Sequence, residues 1–138
     1  MNDICVIPFP PVTPVPRGLV SKNFPPVFPI LLYFPSQLLQ KMQNRGPDHQ
    51  DFLHLPSGEM QVYLLHSRLS IIDLDGRSNQ PFSFEGYHIT FNGEIYNYIE
   101  LRNMLIQHGH SFATDSDTEV LLKCFIQFGE KCVEHLNG

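Results

Sequence analysis

The stretch Tyr87-His88-Ile89-Thr90-Phe91-Asn92-Gly93-Glu94-Ile95-Tyr96-Asn97 is the most informative in the chain. Its first five residues alternate: Tyr87, Ile89 and Phe91 fall on one side, His88 and Thr90 on the other. That is the period of a strand with one buried face. Asn92-Gly93 then interrupts the run, and Asn-Gly after an alternating strand is a strong turn signal. The same pair has a chemical use. An Asn amide beside a Gly N–H supplies two neutral donors able to point at one oxygen, as a developing oxyanion requires. The glycine also lets backbone approach a ligand closely. Asn97, with Glu100 three residues on, has the form of a capping box. It opens a helix with Tyr98, Leu101 and Leu105 on one face and Gly109 as its stop.

Downstream, Ser116 and Glu119 form a second such box, and Leu121, Cys124, Phe125 and Phe128 repeat at helical spacing up to Gly129. A last short helix carries Cys132, Val133 and Leu136. Upstream, Met60 to His66 reads as a strand that continues through an apolar patch to Ile71-Ile72. Before it, Ser36 caps a short helix bearing Leu38, Leu39 and Met42, with Gly46 as its stop. Helix, strands and helices follow one another with no βαβ alternation and no internal repeat. The fold class is therefore α+β with antiparallel strands.

Residues 1–35 differ in character. They hold nine of the twelve prolines and only three charged residues, Asp3, Arg17 and Lys22. Proline fixes φ and removes a donor, so this segment is expected to form neither a regular helix nor a central strand. It is apolar as well as proline-rich, which suits neither a solvated linker nor a core, and points to a misjoined start. The domain is accordingly placed at 36–138, with 1–35 as an atypical N-terminal segment expected to pack poorly.

With 138 residues, 42% of them hydrophobic, the chain can bury one core. Its net charge of −5 and its total of only 9 Lys and Arg, nowhere clustered, argue against a nucleic-acid surface. Cys5, Cys124 and Cys132 are odd in number and follow no metal or disulfide spacing, which favours a reducing cytoplasm. Val27 to Phe34, the best apolar run, falls short of the roughly 18 residues of a membrane span and contains Pro29. The seven histidines match no zinc spacing, so no metal is expected.

Three more segments combine polar residues with chemistry. Arg45-Gly46-Pro47-Asp48 reads most simply as a helix stop and turn. In Arg68-Leu69-Ser70-Ile71-Ile72-Asp73, the arginine at a strand end can grip a carboxylate through two parallel hydrogen bonds, or merely snorkel. Asp117, in Ser116-Asp117-Thr118-Glu119, can pair with an ammonium, against the helix dipole, or only start a helix.

Taken in order, Arg45-Gly-Pro-Asp, Arg68-Leu-Ser-Ile-Ile-Asp, Asn92-Gly-Glu-Ile-Tyr-Asn and Ser116-Asp-Thr-Glu-Val resemble the class II, N-terminal-nucleophile glutaminase domain of glutamine-hydrolysing asparagine synthetases. The resemblance runs from about Leu38 to Gly138. It implies an Ntn-hydrolase type four-layer sandwich with antiparallel sheets between helices, incomplete in this chain. It implies a site for L-glutamine in which Arg68 holds the α-carboxylate and Leu69, Ser70, Ile71 and Ile72 line the pocket. Asn92 and Gly93 would form the oxyanion hole, and Glu94 and Asp117 would receive the α-ammonium. This domain needs no cofactor by the same likeness. ATP and Mg belong to a synthetase domain outside these residues, and the full-length protein can be a homodimer.

One departure bears on activity. The family's nucleophile is a cysteine exposed as the first residue, whose own α-amine is the base. A terminal amine with a pKa of about 7.7–8.0 can serve, whereas a peptide nitrogen cannot. Here residue 2 is Asn, and Cys5 is internal, followed by Val6 and by prolines expected to break its strand. Cys5 thus reads as a bystander, leaving no identifiable nucleophile, and the chain is expected to be inactive as written. The alternative of a different class is a non-catalytic relic that binds glutamine or a partner.

Overall fold

A computed structural model describes residues 3–8, 28–57, 60–69 and 75–138. Among the described residues, five strands and three α-helices occur in the order β1 (Asp3–Pro8), α1 (Phe28–Met42), β2 (His49–Ser57), β3 (Met60–Arg68), β4 (Phe82–Phe84), β5 (Tyr87–Asn92), α2 (Tyr98–Gln107) and α3 (Asp117–Phe128). Short 3-10 helices cover Gly76–Ser78 and Gly129–His135. All strand pairing is antiparallel, in one sheet ordered β1-β5-β4 and a second made of β2 and β3. Helix α1 lies on β2 and β3, β3 meets β5, and α3 lies on β5 and β4 with α2 beside it. The described residues therefore stack as helix, sheet, sheet, helices, the α+β architecture expected from the motif order.

The alternation at Tyr87–Phe91 is realised in β5. Ile89 and Phe91 are buried and pack with Leu101 and Leu105 of α2 and Leu121, Leu122 and Cys124 of α3. Ile95, in the loop after β5, joins them at 2% exposure. The β4–β5 hairpin turns on Glu85 and Gly86, at φ of 49° and 80°, and two successive positive φ values match the twist of the flanking strands. The sequence hides this hairpin because Glu stands where Asn or Asp usually announces the turn.

Helix α3 departs from simple amphipathicity, for every residue from Asp117 to Cys124 is buried. Its two inner charges satisfy each other. Lys123 Nζ lies 2.7 Å from Glu119 Oε1, with side-chain exposures of 3% and 1%. The ammonium also donates to the Ser111 carbonyl and sits 4.4 Å and 4.6 Å from the Phe84 and Phe112 ring centroids. Glu119 accepts from Ala113 N and Thr114 N, and from Thr114 Oγ1. Glu119 is thus not half of a capping box. Ser116 does cap the helix, accepting from Thr118 N at 3.1 Å.

Other expectations change too. Asn97 occupies the N-cap of α2, but its side chain makes no capping bond. It reaches the far end of the chain instead, donating to His135 O at 2.9 Å and accepting from Asn137 N at 3.0 Å. In the last short helix Val133 is 61% exposed, whereas Cys132 is buried. Helix α1 begins at Phe28, eight residues before Ser36, and contains Pro35. Pro29 falls in its first turn, where the missing N–H is not needed. Residues 3–8 form β1 against β5 in spite of Pro8, because Pro8 ends an edge strand, where proline is tolerated. Val6 packs against the main core. Strand β3 stops at Arg68, and the expected continuation to Ile71-Ile72 lies outside the described residues. Among the described residues no helix is long and apolar enough to cross a membrane.

Candidate functional site

Arg68 ends β3 and is 8% exposed. The Arg45–Asp48 segment holds its backbone in place: Asp48 N donates to Arg68 O at 3.1 Å, and Ser67 Oγ donates to Gly46 O at 2.7 Å. Gly46 is therefore a close-approach glycine and not a left-handed helix stop. A Cβ there would stand 2.3 Å from Ser67 O and 2.5 Å from Arg68 C, both backbone atoms. Gly46→Ala is expected to destabilise the fold by about 1–3 kcal/mol or more through overpacking. Urea unfolding measures this, and a change within experimental error would show the β3 end to be compliant.

Two acceptors hold one nitrogen of the guanidinium. Arg68 Nη1 donates to Asn79 Oδ1 at 2.7 Å and to Asp75 O at 3.3 Å. Asp75 caps the Gly76–Ser78 turn, its carboxylate accepting from Arg77 N at 2.8 Å. Next to Asn79, the buried Gln80 side chain accepts from Phe91 N at 2.6 Å and donates from Nε2 to Thr118 Oγ1 at 3.1 Å. This ties the end of β5 to the start of α3. Asp117, 8% exposed, closes the loop, its Oδ2 accepting from Ile95 N at 3.2 Å.

Electrostatics bring Glu94 into the same group. Burial pushes the Asp117 carboxyl above the usual range, and the nearby Glu94 adds to this, against hydrogen bonds from Ile95 and Thr118. On β3, two residues before Arg68, His66 meets the Phe91 backbone, with burial first and then Arg68 and His49 favouring its neutral form.

Arg68 bonds Asn79, and the next residue in the chain, Gln80, bonds Phe91 N and Thr118 Oγ1, the sequence neighbours of Asn92 and Asp117; motif reading passes over both amides. Asn92, Gly93 and Glu94 are exposed on the β5–α2 loop, and the charge of Glu94 is felt at Asp117. Leu69 is 56% exposed, while Ser70, Ile71 and Ile72 lie outside the described residues. Strand β1 sets Cys5 opposite Thr90 and Asp3 opposite Asn92, so the prolines do not break the strand carrying Cys5. Cys124 and Cys132 are buried and free, and burial, then Cys132, pushes the Cys124 thiol up to about 11, far from thiolate chemistry. Among the described residues no group of three or more His, Cys, Asp or Glu is placed to hold a metal.

The described residues form a layered α+β domain in which Arg68 is held at the end of β3 and Asp117 bonds the loop after β5. The sequence model of the glutamine amidotransferase domain matches residues 34–138, and the chain belongs to that family. It is 45% identical over 104 residues to asparagine synthetase [glutamine-hydrolyzing] 1 of Bacillus subtilis (strain 168), covering 74% of this chain and 16% of the relative. Asparagine synthetase [glutamine-hydrolyzing] 3 of the same organism is 40% identical over 118 residues, covering 76% and 19%. A Triphysaria versicolor asparagine synthetase [glutamine-hydrolyzing] is 38% identical over 104 residues, covering 74% and 17%. The chain thus spans under a fifth of the length of these relatives.

Proposed function

We propose that this chain binds L-glutamine and is the ammonia-supplying glutaminase portion of a longer glutamine-hydrolysing asparagine synthetase. In this reading Arg68 takes the α-carboxylate, Asn92 and Gly93 donate to the amide oxygen, and Glu94 and Asp117 take the α-ammonium. Leu69, Ser70, Ile71 and Ile72 flank the arginine. The observation carrying it is the hydrogen-bonded path from Arg68 through Asn79 and Gln80 to Phe91 and Thr118, with Asp117 bound to Ile95. These bonds tie together the segments that carry Arg68, Asn92, Gly93 and Asp117, and a cation, neutral donors and an anion complement an amino acid bearing a side-chain amide. ATP, Mg and the acceptor belong to the synthetase portion, which is the partner of this domain. A cytoplasmic setting and a homodimeric full-length protein complete the proposal.

Calorimetric titration of the 138-residue chain with L-glutamine tests the binding half. Arg68→Lys is expected to weaken affinity about tenfold or more, because one ammonium cannot reproduce a forked donor. Absence of glutamine binding by the unsubstituted chain, or equal affinity in the lysine variant, would overturn the assignment.

A further inference from the structure

We infer that Asn79 and Gln80 are positioning residues of the glutamine site, Asn79 aiming the Arg68 guanidinium and Gln80 locking the oxyanion loop to the helix that carries Asp117. The inference rests on the glutamine reading and adds to it the part that sets the site's shape.

The β4–β5 register explains Gln80. Phe82 pairs with Ile89, so two places back Gln80 stands opposite Phe91. Strand β4 has not yet begun there, and the Phe91 N–H would lack a partner in the ladder on that side. The Gln80 carboxamide supplies it: Oε1 takes Phe91 N at 2.6 Å while Nε2 turns to Thr118 Oγ1. A residue that is 7% exposed thereby satisfies one backbone donor and one helix-start hydroxyl together. Leaving either unpaired in a desolvated place is costly, so the two elements hold one relative position. Asn92 directly follows Phe91, and Asp117 directly precedes Thr118. Fixing the first of each pair fixes the origin of the second.

Asn79 acts on the charge that matters. Its Oδ1 accepts from Arg68 Nη1 without carrying a charge of its own. A carboxylate could grip the guanidinium as well, but it would neutralise the cation and compete with an incoming α-carboxylate. The Asp75 acceptor on the same nitrogen is also neutral, being a backbone carbonyl. Neither of these two oxygens carries a charge that would compete with a ligand anion for the arginine.

Chemical-shift titration of the full chain separates this from a merely structural role. The ligands are L-glutamine and 4-aminobutanamide, which is glutamine without its α-carboxylate. Asn79→Asp is expected to weaken L-glutamine about tenfold while leaving 4-aminobutanamide unchanged or tighter. Gln80→Glu keeps an acceptor for Phe91 N but loses the donor to Thr118, and is expected to weaken both ligands several-fold below the unfolding transition. Unchanged glutamine affinity in the Asn79 variant, or parallel loss for both ligands there, would overturn the role of Asn79. A Gln80 variant that is less stable yet binds both ligands normally would reduce that residue to a strut. If the unsubstituted chain binds neither ligand, the glutamine reading itself falls and this inference with it. If it binds and the variants match it, only the inference falls.

Discussion

Glu119→Ala is expected to cost about 3–5 kcal/mol of folding stability, because it leaves the Lys123 ammonium buried without its counter-ion. The carboxylate also holds Ala113 N and Thr114, so three donors lose their acceptor at the same moment. Against a total stability of typically about 5–15 kcal/mol, such a loss brings a small domain close to unfolding. Replacing both partners, with Glu119→Gln and Lys123→Met, is expected to cost less than the single alanine change, since no bare charge remains. Urea unfolding of the three variants checks this, and a single-variant loss below about 1 kcal/mol would show the pair to be solvated after all. The pH dependence has a definite sign. Burial by itself raises the Glu119 carboxyl, but the bonds from Lys123, Thr114 and Ala113 outweigh it and leave the carboxyl below its ordinary 4.5. The unfolded chain therefore takes up this proton first. The contribution is present above pH about 4.5 and drains away as the pH falls through the folded-state value.

The second large effect is all-or-none. Purified with Met1 to Ile4 ahead of Cys5, the chain is expected to release no glutamate from glutamine, because Cys5 then contributes a peptide nitrogen and no amine. Deleting Asn2 to Ile4 leaves Met directly before Cys5, and removal of that Met exposes both thiol and α-amine. Turnover that appears in the trimmed chain and vanishes on Cys5→Ala would end the bystander reading and make Cys5 the nucleophile. An acid–base group of this kind is worth about 10²–10⁴-fold. The register favours the experiment: Cys5 lies opposite Thr90, two places from the Asn92 level, and Val6, Ile7 and Pro8 keep their pairing with β5 after trimming. Glutamate release by the untrimmed chain that depends on Cys5 would overturn the need for the amine. A trimmed chain that binds glutamine and stays silent would remove Cys5 from consideration.

What was legible in the sequence was local. Period two in Tyr87–Phe91 placed β5 and its buried face. Helical spacing placed Leu101 and Leu105 on α2, and Leu121 and Cys124 on α3. These features survive because a strand's alternation and a helix's turn involve residues within four positions of one another. The order of four short motifs carried the family, and with it Arg68, Asn92, Gly93, Glu94 and Asp117 as candidates. Capping boxes were half legible: Ser116 caps as its type dictates, but Asn97 and Glu119 spend their side chains on partners that folding brings near.

Only the tertiary structure decided the rest. Proline content argued against a strand at residues 3–8, yet β5 offers an edge, and pairing along it outweighs the local bias. Gly46 looked like a helix stop and is instead the point where a loop passes over the β3 backbone. Gln80 and Asn79 carry no motif signal, since an amide side chain has no special meaning until a strand begins two places beyond it and a guanidinium arrives beside its neighbour. Lys123 and Glu119 look like a surface pair on a helix and lie in its core. In each case the deciding partner is distant in the chain, and a hydrogen bond or an ion pair depends on distance in space, which separation along the sequence does not encode.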